Sequence, residues 1–232
     1  MSDQGYARPE MLVATEWLAA HLQDANIRIV DCDNRDAYRR AHIPGAITFR
    51  GHHYLKEKEG ALSIMGPEQF AETMGALGIG NDTLVIAYDS FSGLYAARFW
   101  WALYYYGHTQ VKVLNGGWDK WLAEGRVVTM AEPRPPKAAF TLRVQEEFIA
   151  RWDYVRDSIN QPGRVLLDVR SDGEWTGENA RGTKRGGRIP GAIHLEWLNY
   201  IDGKTKEFKP ANELRALFEQ HGVKPESEII TY

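Results

Sequence analysis

The 232 residues contain one cysteine, Cys32, which excludes an internal disulfide and a cysteine-based zinc cluster. No apolar run approaches the roughly 20 residues that a bilayer-spanning helix needs, so no membrane partner is expected. Basic charge is not in excess either. The formal net charge of −3 lacks the positive field that nucleic-acid binders direct at phosphates, so no nucleic-acid partner is expected. Met1-Ser2-Asp3-Gln4-Gly5 has neither the basic nor the apolar segment of a signal peptide, and the expected location is cytoplasmic. His52 and His53 stand without a further ligand cluster, and neither a metal nor another cofactor is expected. What is present is ordinary in proportion: 44% apolar and 25% charged residues, enough for a substantial core without staples.

An internal repeat organises the chain. Ile29-Val30-Asp31 precedes His42-Ile43-Pro44-Gly45-Ala46-Ile47, and Leu166-Leu167-Asp168 precedes Arg188-Ile189-Pro190-Gly191-Ala192-Ile193. Further on, Gly78–Tyr88 matches Gly222–Tyr232. The spacing is 146 residues from Ile43 to Ile189 and 144 from Gly78 to Gly222, so the chain reads as a duplication.

Each copy reads as α/β. Ile27–Val30, Thr83–Tyr88 and Val111–Leu114 have strand length and β-branched content, and helix-length stretches such as Glu68–Leu77 and Gly93–Tyr106 lie between them. Strands that are apolar throughout and alternate with helices predict a mostly parallel sheet covered on both faces. Pro133-Arg134-Pro135-Pro136 fits an extended connection. The expected organisation is a first domain over 6–128, a linker over 129–148 and a second domain over 149–232. Residues 89–125 have no counterpart in the second copy, so 149–232 is expected to be an incomplete domain.

Tyr38-Arg39-Arg40-Ala41-His42-Ile43-Pro44-Gly45-Ala46-Ile47-Thr48-Phe49 resembles the first signature of the rhodanese family. Leu114-Asn115-Gly116-Gly117-Trp118-Asp119-Lys120-Trp121-Leu122 resembles its Gly-Gly-Trp terminal block, and Val85–Arg98 the strand–loop–helix of its inactive N-terminal domain. The resemblance covers nearly the whole chain in the family's order. It implies two tandem rhodanese-like domains, the second catalytic in the family and truncated here before its cysteine. The implied activity is bacterial-type sulfur transfer from thiosulfate or 3-mercaptopyruvate to cyanide or a thiol through a cysteine persulfide. The implied partners are therefore a small anionic donor and a thiol or cyanide acceptor.

By that resemblance the catalytic cysteine is expected immediately after Tyr232, so no catalytic residue is present and the 232-residue chain is expected to be inactive. A tight loop between a strand and a helix N-terminus aims backbone N–H groups at one spot and stabilises an anion there. A thiol at that spot has its pKa lowered, and the thiolate is the nucleophile. In the first copy the same position is Asp89, a degenerate site, because a carboxylate cannot carry a persulfide.

Asp168, Arg170, Glu174, Arg188 and Tyr232 are expected to support the site. Asp168 is read as an acceptor for backbone donors and Arg170 as one member of a buried ion pair. Glu174 stands where the animal enzymes, by resemblance, carry an arginine, and Arg188 departs from the family's usual histidine. Arg181, Lys184, Arg185 and Arg188 form a basic loop that either steers an anionic donor or is simply solvated. Cys32 reads as a buried filler and His42 as a structural residue of the turn before Pro44. The aromatic run Phe99–Tyr106 reads as a buried helix. An alternative to the enzyme is a non-catalytic rhodanese-like binding or regulatory module. A third reading is phosphoester hydrolysis on a lengthened cysteine loop.

Overall fold

The short aliphatic runs become parallel strands because both of their faces are covered. A computed structural model of the protein describes residues 5–49, 55–57 and 64–232, so His52 and His53 lie outside the described residues. Two compact units emerge, one built on Ala7–Glu146 with Gly203–Glu207, the other on Glu147–Asp202 and Phe208–Tyr232 with residues 5–6.

The first unit runs β1 (Leu12–Val13), α1 (Thr15–Ala20), β2 (Ile27–Asp31), α2 (Arg35–Arg40), β3 (Ile47–Thr48), α3 (Pro67–Ala76), β4 (Leu84–Tyr88), α4 (Leu94–Tyr105), β5 (Val111–Leu114) and α5 (Gly117–Ala123). Its sheet has the order β1-β5-β4-β2-β3 with every pair parallel. β2 and β4 lie side by side at its centre, with Asp31 opposite Tyr88 at their C-terminal ends. Val30, Val85, Ile86 and Ala87 are fully buried, as expected for central parallel strands. α2 begins where the Asn34 side chain accepts the Ala37 N–H at 2.9 Å. The aromatic helix α4 buries Phe99, Leu103 and Tyr105.

The segment read as a linker over 129–148 belongs for most of its length to the first unit. Residues 130–145 form no helix or strand, yet they lie along it as a strap. Ala138 donates to Gly75 O at 3.0 Å, Arg143 to Tyr106 O at 3.0 Å and Gln145 to Tyr105 O at 2.8 Å. Phe140 sets its ring edge-on to Phe70, centroids 5.7 Å apart. The prolines rule out a helix here, and the carbonyls exposed at the ends of α3 and α4 supply the partners that an extended chain needs.

The second unit runs α6 (Trp152–Asp157), β6 (Arg164–Asp168), α7 (Asp172–Thr176), β7 (Ile193–His194), α8 (Ala211–Gln220) and β8 (Glu228–Thr231). Its sheet has the order β7-β6-β8, all parallel, which repeats the β3-β2-β4 arrangement of the first unit. Leu167, Leu195 and Val223 form its core, with Val165, Ile193, Leu217 and Phe218 packed against them. Three described strands thus stand where the first unit has five. Beside β8 runs a groove of about 400 Å³ lined by Phe148, Ile149, Ala150, Tyr154 and residues 228–231. The corresponding side of β4 is paired with β5. Among the described residues, no helix is long and apolar enough to cross a membrane.

Candidate functional site

At the end of β4 the chain turns from strand into helix, and the turn is built around one carboxylate. Asp89 Oδ1 accepts the N–H groups of Phe91 and Gly93, both at 2.8 Å. Its Oδ2 accepts those of Tyr95 at 2.7 Å and Ala96 at 2.8 Å. Three of these donors are the N-cap and first turn of α4, where unpaired amides and the helix dipole favour negative charge. Asp89 is only 1% exposed, so the carboxylate fills the cradle completely.

The Gly-Gly-Trp block closes over this turn. Trp118 N–H donates to Asp89 O at 2.9 Å. A Cβ on Gly117 would stand 2.4 Å from the same carbonyl, and φ is +53°, so this position needs glycine twice over.

Beneath the cradle lies a buried polar pair. Tyr88 Oη donates to Asp31 Oδ2 at 2.6 Å and accepts the Ile43 N–H at 3.2 Å, which ties β4 to the Ile-Pro-Gly-Ala turn. Asp31 Oδ1 accepts the Asp33 N–H at 2.9 Å. Burial raises the Asp31 carboxyl to about 7, against the opposing effect of the Tyr88 hydrogen bond. Asp33 is also raised, first by burial, and its carboxylate reaches the Ser90 N–H at 3.0 Å. A cleft of about 230 Å³ opens here, lined by Asp31, Asp33, Arg40, Ser90 and Trp118 among others.

The second unit repeats the scaffold with one reversal of charge. Tyr232 Oη accepts the Ile189 N–H at 3.1 Å and is hydrogen-bonded to the buried Asp168, as Tyr88 is to Ile43 and Asp31. Arg170 takes the place of Asp33. Its N–H donates to Asp168 Oδ1 at 3.0 Å, and its guanidinium grips both carboxylate oxygens, Nε to Oδ1 at 3.0 Å and a terminal nitrogen to Oδ2 at 2.6 Å. The same guanidinium donates to Gly187 O at 2.9 Å and lies 5.1 Å from the Tyr232 ring centroid. Burial alone would raise Asp168, but Arg170 overrides it and holds the carboxyl below its ordinary range.

The structure therefore brings Asp168, Arg170 and Tyr232 into one network. Glu174 touches this network only through its charge on Arg170. Glu174 closes a capping box with Ser171 at the start of α7 and pairs with Arg181 at 3.1 Å. Burial opposes its ionisation, yet those partners hold its carboxyl below the usual range. Arg188 is exposed and stacks on Trp175, its guanidinium carbon 4.3 Å from the ring centroid. Of the basic loop, Arg181, Lys184 and Arg185 are exposed as well.

Cys32 is fully buried, and burial followed by the nearby Asp89, Asp31 and Asp33 pushes its thiol well above the ordinary range. His42 is buried, stacked on Tyr38 at 3.9 Å, with Nδ1 2.7 Å from Tyr38 O and Nε2 3.0 Å from Ala131 O. Among the described residues, no group of three or more histidine, cysteine and carboxylate side chains could hold a metal ion. Sequence reasoning gave no role to Asp33 or Ser90, and named Gly117 only as part of the Gly-Gly-Trp block. Aligning Asp31 with Asp168 would have set Asp33 opposite Arg170 and exposed the reversal.

Comparison with known proteins agrees with the repeat. The model of the family described as Rhodanese-like domain matches residues 14–124 and 152–232. Sulfur carrier protein TtuD of Thermus thermophilus is 35% identical over 240 residues, covering 98% of this chain and 84% of that protein. Thiosulfate sulfurtransferase of Bos taurus is 32% identical over 227 residues, covering 90% and 76%. Among solved structures, SseA from Escherichia coli, described with the 3-mercaptopyruvate sulfotransferases, superposes with a TM-score of 0.83 at 27% identity, covering 95% of this chain and 87% of that one.

Proposed function

Because the chain belongs to the rhodanese family, we propose that its second repeat carries sulfur transfer, with the nucleophilic cysteine at the position that follows Tyr232. One observation carries this reading. The first repeat holds an anion in a ring of four amides directly after Tyr88, and the second repeat reproduces the tyrosine, aspartate and Ile-Pro-Gly-Ala amide beneath that ring.

The donor is thiosulfate or 3-mercaptopyruvate. With thiosulfate, the cysteine thiolate attacks the outer sulfur, a sulfur–sulfur bond forms to the enzyme, and the bond to the sulfonate sulfur breaks. Sulfite leaves with that electron pair. The persulfide is an anion, and the same amides that favour the thiolate hold it. Cyanide or a thiol acceptor then attacks the outer sulfur of the persulfide, and the cysteine leaves as thiolate. The net charge carried by sulfur stays at the cradle through both steps.

The first repeat is the non-catalytic module of the pair. Asp89 occupies its cradle permanently, and a carboxylate cannot accept a sulfane sulfur. Cyanide-dependent thiocyanate formation tests the whole reading. The 232-residue chain is expected to form none, while the same chain continued past Tyr232 by a cysteine-headed loop and counterparts of α4, β5 and α5 is expected to form it and to lose it when that cysteine becomes serine. Thiocyanate formation by the 232-residue chain that disappears in Cys32→Ser would overturn the assignment.

A further inference from the structure

We infer that the residue two places beyond the strand-end aspartate, Asp33 in the first repeat and Arg170 in the second, sets how strongly the cradle above it favours a sulfur anion. This inference rests on the sulfur-transfer reading for its biological meaning, though not for its test.

The two repeats share their backbone path here. Asp31 and Asp168 end equivalent strands, and each accepts the N–H of the residue two places on, at 2.9 Å and 3.0 Å. The side chain of that residue reverses its charge between the repeats. In the first repeat Asp33 adds a second carboxylate and sends it to the Ser90 N–H, the amide directly after the cradle residue. In the second repeat Arg170 adds a guanidinium that neutralises Asp168 through two parallel hydrogen bonds.

The charged groups around the first cradle come from several elements. β2 and its loop contribute Asp31 and Asp33, α5 contributes Asp119, and β4 contributes Tyr88 with Asp89 itself. Arg40 lines the neighbouring cleft, and His42 acts on Asp31. With two carboxylates under the ring and no cation bonded to either of them in the described hydrogen bonds, the four amides hold an anion at residue 89 against the repulsion of its neighbours. In the second repeat the buried carboxylate is already paired, so an anion above it meets little repulsion. Arg170 is thus a positioning residue acting through Asp168, not a catalytic one.

A thiol placed at residue 89 reads the charge directly. Asp89→Cys is compared with Asp89→Cys/Asp33→Arg and Asp89→Cys/Asp33→Asn by the pH dependence of iodoacetamide alkylation, with peptide mass separating residue 89 from the buried Cys32. The Asp33→Arg double variant is expected to alkylate about tenfold faster at pH 7, through a thiol pKa lowered by about a unit, with Asp33→Asn in between. Circular dichroism verifies folding, and Asp33→Asn, nearly isosteric, keeps the comparison available if the arginine variant does not fold. Equal alkylation profiles for the three proteins, whether position 33 bears aspartate, asparagine or arginine, would overturn the inference. A neutral variant as fast as the cationic one would overturn the part assigned to Arg170. No donor or acceptor enters this assay, so its failure leaves sulfur transfer standing, and absent thiocyanate formation leaves this inference standing.

Discussion

Removing the Asp89 carboxylate tests whether the cradle is an anion site. In Asp89→Ala four backbone N–H groups lose their acceptors at once, from bonds of 2.7–2.8 Å. A hydrogen bond to a charged group contributes about 1.5–3 kcal/mol, but four sharing one carboxylate do not add, and water enters part of the vacated space. The expected loss is about 3–5 kcal/mol, comparable to removing one member of a buried charged pair. At about 2–4 °C per kcal/mol, the melting transition of the first unit should fall by roughly 10 °C, read by circular dichroism. The vacated ring should then bind a small anion. Sulfate at about 100 times its dissociation constant would return about 2.7 kcal/mol to the variant. The parent protein, its cradle filled, should gain only the general salting effect. A melting temperature within about 1 °C of the parent, or equal sulfate responses in both proteins, refutes the cradle.

Three further outcomes follow from the same geometry. Gly117→Ala should cost about 2 kcal/mol or more in urea unfolding, since its Cβ would stand 2.4 Å from Asp89 O at a positive φ. The first unit should lose stability as pH rises from about 4 to 8. Asp31 has a folded pKa of about 7, above its unfolded value of about 3.9, so its contribution is complete below the unfolded value and is lost as pH passes the folded one. The full swing is on the order of 4 kcal/mol, and Asp31→Asn should flatten it in a pH series of denaturant melts. Arg170→Met should destabilise the second unit by about 3–5 kcal/mol near neutral pH, because Asp168 would stay buried without its partner, and Arg170→Lys should recover only part of that in the same melts.

The duplication and the central strands were legible because they rest on local pattern. Ile27–Asp31, Leu84–Tyr88 and Val111–Leu114 are β-branched runs with turn residues on either side, and the structure starts and ends them within a residue or two of the predicted bounds. The family and its α/β fold followed from ordered motifs. The cradle itself was legible only as a place in the chain. Four donors of one carboxylate are main-chain amides of Phe91, Gly93, Tyr95 and Ala96, and nothing in those side chains reports where the N–H groups point. Glu174 is another case. Its position beside the site was legible, but its partners, Ser171 and Arg181, are set by helix capping three residues back and by a loop seven residues on.

The strap over residues 130–145 bears on how the first repeat can be handled in isolation. Gly75, Gly78 and Gly107 lie so close beneath it that added Cβ atoms would fall 2.6–2.8 Å from strap atoms. An expression boundary drawn where the last helix ends would peel this cover away, baring one face of Phe70 and the carbonyls of Tyr105 and Tyr106 to water. Anyone wishing to study the first repeat alone should cut after Glu146, where the ribbon has finished its work.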